Sequence, residues 1–406
     1  MLIKVLGLLF LISGSLALEG YKILEISPNS EDESNVVEQL SETYDFLKLT
    51  RVEPSQVLVS PEEYQTLSGL LAKYNVNFKT INENVLADIL TDATDNSKLC
   101  ATSRLGTDCY RSHSEINNYI DELQRQYPNR VNVKKVGVSY EKRDLKTITI
   151  TNGDGRANKK IIFVDAGMHA REWISPSVGL YVIQQLVENF SENKNLLQNF
   201  DWVVMPMINA DGYEYTRADT KNRMWRKTRK PYNKCFGVDP NRNFDFKFGY
   251  AGTSAKECDD TFKGPNPFSE PETAVLRDVL KSYKGRISFY LTLHSHGAYL
   301  IYPWGYDKID GPNKNELEDV SQAGYQAILK HSGRKYKVGN AAKLMYPAAG
   351  ASDDYAYSEG ARISITMELP SGGLRGFDPP PKDIKKYVEE SWVGIVAMAN
   401  KVVEKY

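Results

Sequence analysis

The sequence predicts an α/β protein: a mixed β-sheet covered by helices on both faces, preceded by a small α+β domain of the open-sandwich type. Three observations lead to this prediction. The chain has 406 residues, too many for one typical domain. In the larger part, apolar runs typical of buried strands alternate with helical segments. A polar stretch at residues 95–98, which we expect to be a linker, separates this part from the shorter α+β pattern.

The N-terminus has the pattern of a secretory signal peptide. Lys4 precedes an apolar run over residues 5–12, and the small residues Ser15 and Ala17 follow at the spacing that a signal peptidase requires. A membrane anchor is the alternative, but the run is shorter than the roughly 20 apolar residues that cross a bilayer. We therefore expect a signal peptide over residues 1–17, a secreted protein and no membrane partner.

The small domain is predicted to alternate strand, helix, strand, helix and strand. Residues 21–26 favour a strand, a capping box opens a helix at Ser60, and a further helix is expected over residues 84–93. An earlier helix is indicated by apolar residues at steps of three and four, namely Val36, Leu40, Tyr44 and Leu47.

The larger domain begins with a capping box formed by Ser112 and Glu115. Apolar helices are expected over residues 174–187 and 384–403. Buried strands are expected over residues 145–151, 160–165, 202–208, 287–293 and 362–368.

Charge and cysteine content exclude some classes of function. The formal net charge is −1, which gives no sign of a nucleic-acid partner. The four cysteines suit an oxidising compartment, and none of them forms a CxxC pair, so cysteine-ligated zinc is not expected. Asn189 opens a glycosylation acceptor pattern, whose use the sequence leaves open.

The five histidines fall into two groups. His113 and His331 lie in polar helical segments and are expected at the surface. His169 follows an apolar strand at a strand-to-helix turn, with Glu172 three positions later, and His294 ends another apolar strand. Two histidines and one glutamate leave a tetrahedral position for water, as in hydrolytic zinc sites. A His-x-x-Glu pattern alone remains a weak signal.

Further motifs make the pattern specific. Residues 105–406 resemble the catalytic domain of the animal digestive carboxypeptidases A and B, and residues 18–104 resemble their inhibitory pro-segment; the B type is the more similar. The motifs occur in family order: His-Ala-Arg-Glu-Trp at 169–173, Asn-Arg-Met-Trp-Arg-Lys-Thr-Arg at 222–229, Gly-Val-Asp-Pro-Asn-Arg-Asn at 237–243, His-Ser at 294–295, Tyr-Pro-Ala-Ala-Gly at 346–350 and Thr-Met-Glu-Leu at 366–369.

The resemblance implies a secreted zinc metallocarboxypeptidase that releases single residues from peptide or protein C-termini. His169, Glu172 and His294 would bind one zinc ion. Glu368 would be the general base that takes a proton from water. Arg226 would stabilise the negative oxygen of the tetrahedral intermediate.

The resemblance also implies a set of substrate contacts. Asn241 and Arg242 would hold the terminal carboxylate, and Tyr346 would close over it. Arg171 and Arg223 would contact the peptide further along.

Other residues are assigned by the same resemblance. Ser295 and His296 would lie at the subsite for the penultimate residue, although His296 stands where the family usually has tyrosine. Asp239 would orient the first zinc histidine. Cys235 and Cys258 match a disulfide of the family's catalytic domain.

The residue seven positions after Tyr346 sets the pocket floor in this family, and here it is Asp353. A carboxylate at this point favours lysine or arginine as the residue removed. The alternatives are a carboxypeptidase A-type preference for aliphatic or aromatic ends, or an Asp353 that faces solvent or pairs with Lys343. A non-catalytic peptide-binding relative is a further alternative, but it should lack a zinc ligand or the base.

Activation is expected at Arg104, which lies in a small, polar stretch suited to a trypsin-like protease. Until that cut, the pro-segment would inhibit the enzyme. Cys100 and Cys109 flank the cut, and a disulfide between them would keep the cleaved pro-segment attached. Two separate thiols, or an external partner, are the alternatives that the sequence leaves open.

Overall fold

The computed structural model describes residues 18–102, 108–372, 376–377 and 379–406. The predicted signal peptide, residues 1–17, and the predicted cleavage site at Arg104 lie outside these residues.

The small domain is a four-stranded antiparallel sheet with helices, and the strand order is β2-β3-β1-β4. In chain order its elements are β1 (Lys22–Ser27), α1 (Glu31–Leu40), β2 (Asp45–Lys48), β3 (Ser55–Val59), α2 (Pro61–Lys73), β4 (Asn77–Asn82) and α3 (Val85–Thr102). The capping box predicted at Ser60 is present and opens α2.

Two sequence predictions for this domain are wrong. The first helix ends at Leu40, and Leu47 lies in β2, where its side chain is buried in an apolar cluster with Ile23 and Leu58 and not on a helical face. The stretch predicted as a linker, residues 95–98, is helical because it continues α3. Asn96 explains this order: its side chain is buried and accepts a 2.7 Å hydrogen bond from the backbone N–H of Tyr110.

The large domain is built on an eight-stranded mixed sheet of order β11-β10-β12-β9-β7-β8-β6-β5. Its strands are β5 (Val131–Val138), β6 (Asp144–Ile150), β7 (Lys160–Asp165), β8 (Phe200–Met205), β9 (Ile287–Ser295), β10 (Tyr299–Tyr302), β11 (Lys337–Asn340) and β12 (Ile363–Leu369). Its helices are α4 (His113–Gln126), α5 (Ile174–Val187), α6 (Phe190–Asn193), α7 (Ala210–Ala218), α8 (Pro271–Ser282), α9 (Lys314–Ser332), α10 (Ala341–Leu344), α11 (Ser352–Ser358) and α12 (Ile384–Lys405).

Helices flank this sheet, so the predicted fold class is confirmed. Every residue of β8 and β9 is buried, which accounts for their continuous apolar runs. Helix α12 packs against both α5 and α9 beside the sheet. No helix among the described residues is long and apolar enough to cross a membrane.

The topology brings three strand ends together. Strands β7, β9 and β12 are parallel neighbours, so their carboxyl ends meet at one edge of the sheet. His294 of β9 lies directly opposite Glu368 of β12 in this register. The turn after β7 carries His169, which places the predicted ligands and the predicted base at the same edge.

One histidine prediction is wrong. His113 is buried at the start of α4, because its ring turns inward and its Nε2 atom lies 2.9 Å from the carbonyl oxygen of Asp144. His331 is exposed at the end of α9, as predicted.

Candidate active site

His169, Glu172 and His294 converge on one point. The Nδ1 atoms of the two imidazoles lie 3.1 Å apart. The Glu172 carboxylate reaches both rings, at 2.7 Å from Nδ1 of His169 and 3.1 Å from Nδ1 of His294. All three residues are buried, and one ligand atom from each lies within 4.8 Å of the others.

This cluster fits a zinc ion. Two imidazole nitrogens and a carboxylate oxygen face one another, and these are the donors of hydrolytic zinc sites. The two Nδ1 atoms share a short contact in which at most one proton fits, so a cation between them satisfies both lone pairs. Among the described residues, no other group of His, Cys, Asp and Glu side chains has this geometry.

The surroundings hold the cluster in place. Nε2 of His169 lies 3.1 Å from Oδ1 of Asp239, and the backbone N–H of Ser295 donates to Glu172 at 3.1 Å. Burial raises the pKa of Glu172, but the two imidazoles outweigh burial and bring the pKa below its ordinary value. Burial lowers the pKa of His294, but Glu172 outweighs it and the result is a pKa of about 9.

Glu368 stands beside the cluster on β12. Burial raises the pKa of its carboxyl group to about 8, while His294 acts in the opposite direction. A cation at the neighbouring cluster would lower the pKa further, because it favours the carboxylate form. Glu368 is therefore a buried carboxyl group beside the cluster, and its pKa depends on the surrounding charge.

Arg226 and Asp239 form an ion pair at the edge of the cavity. Nε and Nη2 of Arg226 both donate to Oδ2 of Asp239, at 3.0 and 2.8 Å. Burial opposes the charge on Arg226, but Asp239 raises its pKa above the ordinary value. Asp239 thus fixes the guanidinium and the ring of His169 together.

Asn241 and Arg242 lie in a short 3₁₀ turn, Pro240–Arg242, that Asp239 caps through the backbone N–H of Asn241. Nη2 of Arg242 donates to the hydroxyl of Tyr346 at 3.0 Å. Nε of Arg242 donates to the carbonyl of Gly252 at 2.7 Å, which orients the guanidinium. The turn and Tyr346 line the same cavity as the histidine cluster.

Asp353 lies in the wall of this cavity. It is buried, and its Oδ2 atom accepts a 2.9 Å hydrogen bond from the hydroxyl of Thr366. Its Oδ1 atom accepts from the backbone N–H of Asp354. Lys343 pairs with Asp310 instead, at 2.7 Å, so the alternative that Lys343 neutralises Asp353 does not hold.

Ser295 and His296 also line the cavity. The Nδ1 atom of His296 lies 3.0 Å from the hydroxyl of Ser371, and the ring packs edge-on against Phe377. The loop after β12 therefore holds the imidazole of His296 in place.

The N-terminal domain covers the cavity with β2 and the residues that follow it. Phe46, Lys48 and Leu49 line the cavity wall. Asp45 accepts two hydrogen bonds from Nη1 of Arg171, at 2.9 and 3.0 Å. Burial and a nearby carboxylate, Asp260, raise the pKa of Asp45 to about 7, although Arg171 opposes them. These pro-segment residues carried no signal in the sequence, because their role comes only from docking.

Arg171 and Arg223 stand apart from the other predicted substrate contacts, since neither is among the residues that line the cavity. Arg171 holds Asp45, and Arg223 donates to the backbone carbonyl of Arg171 at 2.9 Å while stacking on the ring of Trp173. While Arg171 is bound to Asp45, Arg223 therefore contacts the backbone of Arg171.

The fold and the cluster define a class of protein: a hydrolase with a metal-binding site that its own N-terminal domain covers. The family is more specific. A model of the zinc carboxypeptidase family matches residues 116–394, and a model of the carboxypeptidase activation peptide matches residues 24–91. The chain belongs to the zinc carboxypeptidase family and is a metallocarboxypeptidase with an activation peptide.

Relatives of both types are similar to the chain. Carboxypeptidase B of Helicoverpa zea is 37% identical in an alignment of length 404 that covers 94% of each chain. Carboxypeptidase A2 of Mus musculus is 33% identical over 400 residues, again 94% of each chain. The crystal structure of carboxypeptidase A from Helicoverpa armigera superposes with a TM-score of 0.89 at 31% identity, covering 95% of this chain and 98% of that one.

Proposed function

We propose that this protein is the secreted precursor of an enzyme that removes single C-terminal residues from peptides, preferentially lysine and arginine, with one zinc ion at His169, Glu172 and His294. The observation that carries the preference is the buried carboxylate of Asp353 in the cavity wall. A second candidate, a preference for aliphatic or aromatic ends, is favoured by the relatives that are named carboxypeptidase A.

Exopeptidase action would follow from the position of the carboxylate clamp. Arg242 and Asn241 line the cavity, and Tyr346 already holds the guanidinium of Arg242. A planar guanidinium binds a carboxylate through two parallel hydrogen bonds, which fixes the substrate by its C-terminus. The scissile bond would then lie one residue away, beside Glu368.

The residues around the cluster suit the hydrolysis of that bond. A bound zinc ion would polarise the scissile carbonyl and lower the pKa of a water molecule. Glu368 would take a proton from the attacking water and pass it to the leaving amine. Arg226, turned from Asp239 toward the substrate, would stabilise the negative charge that develops on the carbonyl oxygen. Asp239 would keep His169 oriented through this step.

Asp353 would select the residue that is removed. Its two oxygens accept hydrogen bonds from Thr366 and from the backbone of Asp354, and its charge has no cationic partner among the described residues that contact it. A lysine or arginine head group would supply that cation. An apolar side chain would leave the buried carboxylate unpaired, which costs several kcal/mol in comparable sites.

The covered cavity supports synthesis as an inactive precursor. Residues 18–104 would form the pro-segment and residues 105–406 the enzyme, with cleavage after Arg104 by a trypsin-like protease. Removal of the pro-segment would open the cavity lined by Phe46, Lys48 and Leu49 and would free Arg171 for the substrate. Arg223 would contribute to that peptide contact through Arg171.

The test is a comparison of kcat/KM for the trypsin-treated protein on blocked peptides that differ only in the last residue. Arginine- and lysine-ended peptides should be cleaved best, and a C-terminal amide in place of the carboxylate should abolish cleavage. A higher kcat/KM for phenylalanine- or leucine-ended peptides would reject the basic preference. Cleavage of the amide would reject exopeptidase action.

A further inference from the structure

A second carboxylate-binding position lies outside the catalytic cluster, where β10 and β11 meet. Tyr299 and Lys337 are direct neighbours in the parallel pairing of these strands. In the precursor both hold Glu53: the hydroxyl of Tyr299 donates to Oε1, and Nζ of Lys337 lies 3.2 Å from Oε2. Burial raises the pKa of Glu53, but its hydrogen bonds from Tyr299, Lys48 and Lys337 outweigh burial and lower the pKa.

Among the described residues, the hydrogen-bonding and ionic partners of these two side chains all belong to the activation peptide. Tyr299 is fully buried, and its hydroxyl bonds Glu53 and, at 3.1 Å, the hydroxyl of Thr50. Lys337 contacts Glu53 and, at 3.3 Å, the carbonyl of Val52. Within the described residues of the catalytic domain, neither group has a hydrogen-bonding or ionic partner. When the activation peptide leaves, a phenol O–H and an ammonium group are therefore uncovered side by side.

The pair borders the substrate cavity. Tyr299 and Ile301 lie on the same face of β10, because side chains alternate along a strand, and Ile301 lines the cavity. Tyr299 is also paired in register with Glu368 of β12. The activation peptide passes from Leu49 in the cavity to Glu53 in four residues, a span of at most about 14 Å. A substrate peptide bound in the cavity would have to span the same distance to reach Tyr299 and Lys337.

We propose that Tyr299 and Lys337 form a subsite for an acidic side chain of the substrate, several residues before the C-terminus, which Glu53 fills in the precursor. The proposal rests on the exopeptidase function proposed above. The chemical class is a side-chain carboxylate, since one oxygen accepts from the phenol and the other pairs with the ammonium group. The enzyme would thus prefer C-terminal tails that carry Glu or Asp upstream of the residue removed.

The experiment compares arginine-ended peptides with Glu or Gln at each of the third to seventh positions from the C-terminus. All proteins carry Cys100→Ser and Cys109→Ser, so that the cleaved activation peptide can be removed by gel filtration. At one or two positions, Glu should raise kcat/KM by about five-fold, through KM, because exposed ion pairs contribute about 1 kcal/mol. The gain should shrink as salt is added.

Two variants and one control locate the effect. Tyr299→Phe keeps the ring and removes the hydroxyl, Lys337→Gln removes the charge, and both should reduce the Glu/Gln ratio toward one. Lys335→Gln, an exposed lysine two residues away, should leave the ratio unchanged. A ratio near one at every position in the parent enzyme, or a ratio that survives both variants, overturns the proposal.

Failure of the proposed specificity is distinguishable in the same assay. Each peptide pair is also made with a phenylalanine end. If only phenylalanine-ended peptides are cleaved, the preference for basic ends is rejected, and the Glu/Gln ratio is then measured on those peptides with the same two outcomes.

Discussion

Glu368 and His294 lie opposite each other on neighbouring strands, and the pKa of each is raised above its ordinary value. Burial raises the pKa of Glu368 to about 8, so the carboxyl group is a stronger base than an exposed glutamate. His294 and Arg226 both oppose this rise. The basicity of Glu368 thus depends on the positive charge placed beside it, which includes any cation at the cluster.

Replacement of this base gives a first prediction. Glu368→Gln should lower kcat by at least about 10³-fold, because the amide keeps the shape of the side chain but accepts no proton. Zinc content and the affinity for a substrate analogue should stay close to those of the parent, since none of the predicted ligands is changed. Zinc analysis, calorimetric titration and steady-state kinetics check these three quantities, with Glu404→Gln at the exposed C-terminus as control. Turnover within ten-fold of the parent would remove Glu368 from the mechanism.

Glu272 shows how the burial of a carboxyl group affects stability. Its side chain is buried in α8, where Oε1 accepts from the backbone N–H of Tyr140 at 3.0 Å, and Oε2 has no hydrogen-bond partner among the described residues. Burial raises its pKa to about 8. The folded state therefore keeps a proton that the unfolded chain loses near pH 4.5.

The raised pKa of Glu272 determines how the free energy of unfolding changes with pH. The folded state binds the extra proton between pH 4.5 and 8, so the free energy of unfolding falls as pH rises through this window, by up to a few kcal/mol. Glu272→Gln should remove this contribution and unfold at a higher urea concentration than the parent at pH 8, with a smaller difference at pH 5. Urea unfolding at the two pH values measures it, and Glu404→Gln should behave like the parent at both. An equal shift at pH 5 and pH 8 would contradict a titrating Glu272.

At the scale of elements, the sequence predicted those helices and strands that have a clear hydrophobic periodicity or a helix cap. The strands at 160–165 and 287–293 are continuous apolar runs because helices cover both faces, and their positions agree with β7 and β9 within two residues. The short strands β10 and β11 were missed, since four residues give no clear period. The segment 95–98 was misjudged because the contact that orders it, with Tyr110, is made by another domain.

The candidate site likewise contains residues that the sequence predicted and a contact that it did not predict. His169, Glu172, His294 and Glu368 were assigned from motifs at strand ends, and the fold brings all four to one edge of the sheet. The pairing of Asp45 with Arg171 was not predicted, since a single aspartate in a polar segment has no distinguishing pattern. Contacts between domains depend on docking geometry, which local sequence does not encode.

The end of α3 carries a covalent link between the two domains. Cys100 and Cys109 form a disulfide, which resolves the alternatives that the sequence left open, and Cys235 and Cys258 form the expected one. Any cut between Cys100 and Cys109 therefore leaves the two polypeptides joined. Lys98 is exposed in α3, and a cut there would release the activation peptide instead.

This disulfide predicts how the trypsin-treated protein migrates on gels without and with reductant. In a Lys98→Gln background, trypsin-treated protein should migrate at full length without reductant and separate into two bands with reductant. Cys100→Ser/Cys109→Ser in the same background should give two bands under both conditions. Gels stained after denaturation, with N-terminal sequencing of the larger band, check the prediction. Separation without reductant after a cut mapped to Arg104 alone would contradict it.

At the scale of the whole molecule, polar, apolar and covalent contacts hold the N-terminal domain on the large domain. Asp45 binds Arg171, Glu53 binds Tyr299 and Lys337, and the disulfide of Cys100 and Cys109 joins the domains covalently. One apolar cluster combines residues of the two domains, namely Ile23, Leu47, Val85 and Ile89 of the first with Met224 and Phe377 of the second. The N-terminal domain thus covers the cavity that Glu368 and the histidine cluster line.

The charge of Asp353 is the central claim of the proposed function. The most direct test is the ratio of kcat/KM for arginine-ended and phenylalanine-ended peptides, measured on the activated protein and on Asp353→Leu. The parent should favour arginine, and the ratio should fall at least about 10²-fold in the variant, because the cation loses its partner and the apolar end no longer leaves a carboxylate unpaired. An unchanged ratio in a variant that still binds zinc and still cleaves peptides would show that Asp353 does not set the preference.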